Sequence, residues 1–524
     1  MPSTAWKYGI IGSIDNNEIN DNNEKKMKKI LLMLCAAWAA VAVAQVGDLQ
    51  RSTPAVEGVD PAAVNRFIDS LQAVKQTDIH HVMVVRHGKV IAEAHPAPYR
   101  AEDAHTLYSC SKTFTSLAVG LAIEENRLRL TDRVTTFFPE KLPDSISTHL
   151  AQMTVRDLLI MGAGIKPDWI MRNNNPDWIT EWLAKPVTDE PGTRFQYDSM
   201  CSFMLAAIVQ RVTGMTMLDY LKKHIFNDMH IIEVDWEQSP DGINTGGWGL
   251  RLQAESLAKA GILMLDRGKW NGKQLVPAHW IDEAVTAHIN YDWVKPCDAP
   301  TEGNRGYGYQ VWRCKNDKAF RADGAFGQYI VCIPEADMVV VITGYSNDGH
   351  GELACIWKHL MPGVDNVTSN AEKAQQRLEN ACKAAALPVL KGKKTGAALP
   401  AQLNLDANKH GISSIAIAPD CSMTLAYSDG RRETIALGYG KYIYSSLKDV
   451  PPYSIEAMDR FKGLKRNFEA AGCYAWTSKQ VFTARIEYVN WISATTFSID
   501  LAHSTVTITD NFAQAKPETI HFAR

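Results

Sequence analysis

Apolar and polar residues follow different periods in different parts of the chain, and these periods predict its elements. Residues 80–95, HHVMVVRHGKVIAEAH, alternate on both sides of a His87-Gly88 turn and predict a β-hairpin. Helical spacing, as in FTSLAVGLAIEENRL, dominates residues 107–300. Apolar runs typical of strands return at 307–314, 328–334 and 337–346, before the helical segment ELACIWKHL. The five strand candidates flank a helical insert, and we expect them to meet in one sheet with helices packed on it.

The remainder of the chain changes character twice. Residues 366–400 are rich in alanine and lysine and predict a partly helical linker. Residues 401–524 contain short alternating runs separated by turn signals, such as the Asp429-Gly430 turn in MTLAYSDGRRETIAL. We expect these runs to form a small antiparallel β domain. No motif in this domain indicates chemistry.

The N-terminal region contains a secretion signal. The stretch MKKILLMLCAAWAAVAVAQ begins at Met27 with lysines, continues as an apolar run and ends in Ala42-Val43-Ala44. The run is too short for a comfortable membrane span. We therefore expect residues 27–44 to be a signal peptide that directs the protein to the periplasm or outside the cell. The polar residues 1–26 lie wrongly upstream of such a signal, so we expect synthesis to start at Met27.

Composition excludes several classes of function. Apolar residues make up 46% and charged residues 22% of 524 residues, which is typical of a globular chain with more than one domain. The net charge of −3 argues against a nucleic-acid or anionic-membrane partner. The cysteines and histidines show no metal-ligand spacing, and no GxGxxG loop is present. We expect no metal and no cofactor.

The clearest candidate chemistry lies in YSCSKTFTS, residues 108–116. A serine hydroxyl needs a base to become a nucleophile. Residues three or four apart share a helix face, so both Ser109 and Ser116 are within reach of Lys112, whereas Cys110 and Ser111 point elsewhere. The apolar neighbours of Lys112 favour a lowered lysine pKa, which a base requires. Helical geometry alone leaves two candidate nucleophiles.

The S-x-x-K pattern also occurs at Ser256–Lys259 and Ser445–Lys448. Ser256 precedes an apolar helical run and predicts a helix cap. Ser445 precedes LKDVPP and predicts a loop. Neither setting is typical of a nucleophile. Further motifs are needed to decide which of the three S-x-x-K serines is the nucleophile.

Two further segments supply that context. In EPGTRFQYDS, a Pro-Gly turn precedes Tyr197, and a tyrosine beside a cationic lysine ionises more easily and can move protons. In ADGAFGQYIVCIP, residues 322–334, a glycine-rich stretch enters a strand. A backbone N–H there, with that of Ser109, would form an oxyanion hole.

The three segments, in this order, resemble the serine β-lactamase and penicillin-binding-protein superfamily. The chain is most similar to the class C β-lactamase-related branch, which also contains D,D-peptidases, carboxylesterases and nylon-oligomer hydrolases. The resemblance implies an α+β fold over residues 58–362, with an antiparallel five-stranded sheet, flanking helices and a helical lobe. It also implies that Ser109 is the nucleophile, with Lys112 its partner and Tyr197 the general base and acid.

Two departures from the family pattern bear on the substrate. Ser199 stands where the family commonly has asparagine, which weakens a contact to a substrate amide. Ala322-Asp323-Gly324 stands where β-lactamases have Lys-Thr-Gly, so a carboxylate-binding lysine is lost. Arg321 is the candidate to replace that lysine. Ala325 is the expected second oxyanion donor, with Gly324 giving access and Gly327-Gln328 as the alternative.

The leading hypothesis is a secreted serine hydrolase that cleaves an ester or amide through a Ser109 acyl-enzyme. Its substrate would be a small molecule or peptide, with cell-wall fragments among the candidates. A β-lactamase or D,D-peptidase is the first alternative, and the missing Lys-Thr-Gly speaks against it. The second alternative is a non-catalytic module that binds cell-wall fragments.

Overall fold

A computed structural model describes residues 48–291, 302–303, 305–316, 318–455, 457–465, 467–511 and 516–523. The predicted signal peptide and the 26 residues before it lie outside the described residues. Within the described part, no single helix has the length and apolar character of a membrane span; Ser199–Thr213 and Met217–Phe226 meet that measure only together, bent by 69°.

Helices and short strands alternate through residues 61–383. The strands are β1 (Thr77–Arg86), β2 (Lys89–Ala94), β3 (His105–Thr106), β4 (Val234–Trp236), β5 (Leu250–Leu252), β6 (Lys269–Trp270), β7 (Lys273–Gln274), β8 (Trp312–Arg313), β9 (Phe320–Gly324), β10 (Gln328–Ile333) and β11 (Met338–Ser346). The α-helices are α1 (Pro61–Gln72), α2 (Ser111–Glu124), α3 (Thr148–Gln152), α4 (Val155–Leu159), α5 (Trp178–Leu183), α6 (Ser199–Thr213), α7 (Met217–Leu221), α8 (Ala254–Leu265), α9 (Ala278–Ala284), α10 (Gly349–Cys355) and α11 (Ala371–Lys383). A 3₁₀ turn, Tyr108–Cys110, leads into α2, and another, Ile170–Arg172, precedes α5.

The main sheet is antiparallel, with strand order β2-β1-β11-β10-β9-β8. Alternate residues of β11 enter two separate apolar cores, Val339 and Val341 on one face and Val340 and Ile342 on the other. Both faces are covered by helices, which explains why β11 is apolar throughout. The expected mixed fold of sheet and helices is therefore confirmed in its coarse form.

The sheet has six strands, so the prediction of five was wrong. Only Trp312–Arg313 of the run 307–314 joins the sheet, because the chain before it turns at Gln310, whose φ is 61°. The strand Phe320–Gly324 carries Arg321 and Asp323 and therefore showed no apolar run, yet it pairs with β10 along its whole length.

The C-terminal domain is more elaborate than the small antiparallel domain expected. Its strands are β12 (Leu403–Leu405), β13 (Ile412–Ile417), β14 (Ser422–Tyr427), β15 (Arg432–Tyr439), β16 (Ile443–Ser446), β17 (Glu469–Trp476), β18 (Val481–Tyr488), β19 (Ala494–Asp500), β20 (Thr505–Asp510) and β21 (Glu518–Ala523). Nine of these strands form a closed ring. The ring is completed by β12, which pairs with both β13 and β21, and by the pairing of β15 with β17. The β15–β17 contact is parallel, and β16 lies against β17 outside the ring. Closing the ring leaves few strand edges exposed to other chains.

A histidine cluster lies near the contact between the two domains. It consists of His80, His81, His95 and His105. Ring nitrogens of His80 and His105 are 2.9 Å apart, and so are those of His81 and His95. Tyr99 stacks on His80 at 3.6 Å and donates a hydrogen bond to Glu487 of the C-terminal domain. Burial lowers the pKa of His80, His81 and His105, so these three rings are packed in the neutral form.

Candidate active site

Ser109 lies in the short turn that precedes α2, and Lys112 is the second residue of that helix. Tyr108 adopts the left-handed region with φ of 47°, a conformation that a bulky residue rarely takes. Such strain is held by the surrounding packing and occurs often at functional sites. Ser109 itself is half-buried, so its hydroxyl stays accessible to a substrate.

Lys112 is the centre of a hydrogen-bonded group. Its Nζ lies 2.9 Å from Ser109 Oγ, 3.0 Å from Ser199 Oγ and 2.7 Å from the carbonyl oxygen of Gly247. The lysine side chain is 1% exposed. The structure thus brings Ser109, Lys112 and Ser199 together, and it adds the Gly247 carbonyl, which the sequence did not indicate.

The electrostatics of this group favour a neutral lysine. Burial lowers the pKa of Lys112 to about 7, although the nearby Asp198 acts in the opposite direction. A neutral amine has two N–H bonds and one lone pair. When the two N–H bonds go to Gly247 and Ser199, the lone pair faces Ser109, and Lys112 can accept the serine proton.

Tyr197 lies against the same lysine, with Lys112 Nζ 4.8 Å from the centre of its ring. Burial raises the pKa of Tyr197, and the hydrogen-bonding influence of Ser109 offsets this only in part. The pKa of Tyr197 is thus raised rather than lowered as expected beside a lysine, because removal from water is the largest influence on it. Tyr197 keeps its proton at neutral pH and is suited to donate it.

An aromatic group holds Tyr197 in place. Its ring is 5.3 Å from that of Trp312 and 6.3 Å from that of Tyr307. Trp312 also packs against Tyr291 at 5.4 Å. Because these rings are large and rigid, they leave Tyr197 little freedom to turn away from Lys112.

The glycine-rich turn reaches the nucleophile from the opposite side. A Cβ atom at Gly324 would lie 2.3 Å from the Leu107 carbonyl oxygen and 3.2 Å from the Cys110 backbone nitrogen. Only glycine allows this approach to the turn that carries Ser109. The exposed Ala325 follows directly, whereas a Cβ at Gly327 would meet the Glu352 carboxylate. This packing favours Ala325 over Gly327-Gln328 as the second oxyanion donor.

Arg321 does not replace the missing lysine. It is 2% exposed, and its guanidinium lies 3.2 Å from Glu302 and 2.8 Å from Asp323. Its charge is already neutralised by two carboxylates, and the charge of Asp323 is compensated in turn. A cation that is buried and paired in this way is not available to a substrate carboxylate.

The competing serines are placed elsewhere. Ser116 is buried and its hydroxyl has no hydrogen-bond partner among the described residues. Ser256 is the third residue of α8, whose cap position is Gln253, so its expected role as a cap was wrong. Ser445 lies in strand β16 rather than in a loop and accepts a hydrogen bond from Ala436. None of the three is bonded to Lys112.

Sequence reasoning missed Gly247. It belongs to the stretch GGWG, residues 246–249, and a Cβ atom there would lie 2.8 Å from the Ser199 carbonyl oxygen. A glycine-rich loop of this kind is a signal for close backbone approach, although nothing local shows what it approaches.

The role of the Gly247 carbonyl can be tested by adding one methyl group to the loop, as an alanine side chain. We expect Gly247→Ala to lower kcat/KM about 10- to 100-fold, because the added Cβ displaces the carbonyl oxygen and Ser199 from Lys112. Steady-state kinetics measure the effect. Gly272→Ala is the control, because a Cβ at that turn meets no atom within 4 Å and should leave kcat/KM unchanged. Equal kinetics for both variants would show that the carbonyl does not position Lys112.

Comparison with known proteins agrees with this arrangement. The Beta-lactamase family model matches residues 64–360, which is more than half of the chain. The chain belongs to the Beta-lactamase family and is, by class, a serine hydrolase. The predicted superfamily resemblance is therefore confirmed.

Individual relatives are distant. The 6-aminohexanoate-dimer hydrolase of Paenarthrobacter ureafaciens is 26% identical over 332 residues, which cover 57% of this chain and 83% of the relative. Among solved structures, a putative β-lactamase from Bacteroides dorei is 16% identical with a TM-score of 0.49, covering 57% of this chain and 99% of that chain. The octameric penicillin-binding protein homologue of Pyrococcus abyssi is 17% identical with a TM-score of 0.44, covering 87% and 99%.

Proposed function

We propose that the protein hydrolyses ester or amide bonds through an acyl-enzyme on Ser109. The observation that carries the proposal is the 2.9 Å contact between Ser109 Oγ and the buried amine of Lys112. Because the pKa of that amine is lowered to about 7, a substantial fraction is neutral at physiological pH. A serine hydroxyl beside a neutral amine is an activated nucleophile.

Acylation begins with transfer of the Ser109 proton to Lys112 Nζ while Oγ attacks the substrate carbonyl carbon. The carbonyl oxygen takes up the negative charge, and the backbone N–H groups of Ser109 and Ala325 stabilise it. When the carbon–oxygen or carbon–nitrogen bond breaks, Tyr197 donates its proton to the leaving group. Lys112 then returns a proton to Tyr197, so the amine is neutral again.

Deacylation repeats the same steps with water. Lys112 accepts a proton from the water molecule as its oxygen attacks the acyl carbon, and the bond to Ser109 Oγ breaks. The proton passes from Lys112 to Ser109, and the carboxylic acid product leaves. The protons that move are those of Ser109, Tyr197 and the attacking water, and Lys112 accepts and returns them.

The charge around the site argues against a substrate carboxylate bound at the glycine-rich turn. Arg321 is paired with Glu302 and Asp323, and the position of the β-lactamase lysine is taken by Ala322. A substrate carboxylate would therefore find no free partner at this turn. The name of the Paenarthrobacter relative gives a dimer of an amino acid as its substrate, and such a dimer is joined by an amide bond. We infer a linear ester or amide rather than a penicillin.

The proposal can be tested by covalent labelling. We expect a fluorophosphonate to add one phosphonyl group to the protein, on Ser109, as measured by intact mass and peptide mapping. Ser109→Ala should take up none, while Ser116→Ala, altered at the other helix-face serine, should still react. A panel of ester, amide, D-Ala-D-Ala and β-lactam substrates then identifies the class of bond. Absence of an adduct on Ser109 in the folded protein would refute the proposal.

We also propose export, which rests on the charged start, apolar run and Ala-x-Ala end of residues 27–44. Fractionation of producing cells should place the protein outside the cytoplasm, with a mature N-terminus near residue 45. A cytoplasmic protein that retains residues 27–44 would contradict it.

A further inference from the structure

One stretch of the C-terminal domain leaves that domain and lies along the hydrolase domain. It comprises residues 452–455 and 457–465, between β16 and β17, and is called the bridging segment here. Its far end is fixed by backbone groups: the Lys462 carbonyl accepts from Gln238 N at 2.8 Å, and Lys465 N donates to Asp235 Oδ2 at 2.8 Å. The path of the segment along the hydrolase domain is therefore set by directional hydrogen bonds.

The near end of the bridging segment touches the residue next to the nucleophile. The hydroxyls of Tyr108 and Ser454 are 2.9 Å apart, and the rings of Tyr108 and Tyr453 are 5.9 Å apart, edge to face. Between its two ends the segment also reaches the helical lobe, where Met458 N donates to the Met171 carbonyl at 2.9 Å. It thus connects the side of the site that carries Ser109 with the loop before α5.

Tyr108 is the middle of a row of aromatic rings. On its other side lies Phe326, 5.4 Å away, which directly follows the oxyanion candidate Ala325. Tyr453 is held in turn by Trp491, 4.8 Å away. The row therefore runs from the oxyanion turn, past Ser109, to the C-terminal domain. Rings packed edge to face in this way form a rigid apolar wall.

We propose that Tyr453 and Ser454 of the bridging segment limit the size of the acyl group that reaches Ser109. This inference rests on the proposed acyl-enzyme function and adds a specificity determinant from outside the catalytic domain. Tyr108 and Tyr453 are buried, Phe326 and Ser454 are half-buried, and the hydroxyls of Tyr108 and Ser454 bond to each other. Short, uncharged acyl groups fit such a wall, and long ones collide with it.

Two substitutions change the wall in opposite directions. Tyr453→Ala removes the buried ring that packs against Tyr108 and lets Tyr108 yield to a longer acyl group, whereas Ser454→Trp fills the space beside Tyr108. The measured quantity is the ratio of kcat/KM for p-nitrophenyl octanoate to that for p-nitrophenyl acetate, using the full chain. We expect Tyr453→Ala to raise this ratio at least about tenfold and Ser454→Trp to lower it by a similar factor. Tyr439→Ala, an exposed tyrosine of the same domain, is the matched control and should leave the ratio unchanged.

The outcomes separate this inference from the proposed function. Opposite shifts of the ratio in the two variants, with none in Tyr439→Ala, support it. A merely structural tie would lower both rates together and leave the ratio constant, and that result would overturn it. If Tyr453→Ala fails to fold, Ser454→Trp decides alone. If the wild-type protein takes up no fluorophosphonate on Ser109, the proposed acyl-enzyme is refuted. If Ser109 is labelled but the octanoate-to-acetate ratio is the same in all variants, only the proposed size limit is refuted.

Discussion

Replacing Lys112 by alanine is expected to lower kcat/KM about a thousandfold while the protein stays folded. The loss follows from removal of the amine that accepts the Ser109 proton, since positioned general bases contribute effects of this size. Lys112→Arg should not restore activity, because a guanidinium keeps its protons and cannot act as the base. Lys259→Ala is the matched control: that lysine also lies three residues after a serine, in α8, with Glu255 as its ionic partner.

The pH dependence of wild-type kcat/KM gives an independent check. Since only the neutral amine accepts a proton, activity should rise with pH and level off above an apparent pKa of about 7. Tyr197 must keep its proton to donate it, and because its pKa is raised it causes no fall in activity near neutrality. A profile governed by a group near pH 4, or one that falls between pH 6 and 8, would contradict the role of Lys112.

The free energy of unfolding is expected to fall steeply as the pH drops from about 6.5 towards 4. Burial lowers the pKa of His105 to about 4 and those of His80 and His81 well below their usual 6.5. In this window the unfolded chain binds protons that the folded chain excludes, so stability present above pH 6.5 is lost on acidification. Three such groups give a maximal slope of about 4 kcal/mol per pH unit.

The surroundings of the cluster reinforce the effect. Arg485 adds positive charge close to His80, and Tyr99 stacks on it without offering a charge. The nearby acids are Glu487 and Asp78, both paired with Arg485, and Glu93, which is paired with Arg51 and lies 3.8 Å from His95. No unpaired carboxylate in the described part of the cluster is therefore available to stabilise a charged imidazole.

Urea unfolding at several pH values measures this slope. His81→Gln should make it shallower by about 1.4 kcal/mol per pH unit, the share of one proton. His503→Gln is the control, because the His503 side chain is 78% exposed and bonded to Asp500, outside the cluster. A slope that is the same in wild type, His81→Gln and His503→Gln would show that the cluster does not exclude protons.

Local periodicity accounts for what could be predicted of the site. Ser109 and Lys112 meet because they are three residues apart where a 3₁₀ turn continues into α2, and this depends on backbone geometry alone. The continuous apolar character of β11 likewise predicted a strand. The Ser109–Lys112 spacing and the apolar run of β11 each depend on one local segment, so they can be predicted without knowledge of the rest of the fold.

The missed features depend on contacts between distant segments. Gly247 is 135 residues from Lys112, and only the folded chain brings its carbonyl to the amine. The charge of Arg321 seemed free because its partner Glu302 lies in a different segment, 19 residues earlier. The pKa of Tyr197 was misjudged because its burial comes from Trp312 and Tyr307, more than a hundred residues away. In each case sequence patterns gave the residue type but not its environment.

The hydrogen bond between Tyr108 and Ser454 joins residues 346 positions apart. During synthesis, domains generally fold as units from the N-terminal side, at about 5–20 residues per second. The catalytic domain thus emerges from the ribosome well before its partner for Tyr108 exists. The nascent catalytic domain therefore carries Ser109 and Lys112 before Tyr108 has its partner, and the Tyr108–Ser454 contact forms only in the completed chain. The setting of the residue next to the nucleophile is in this way complete only in the whole polypeptide.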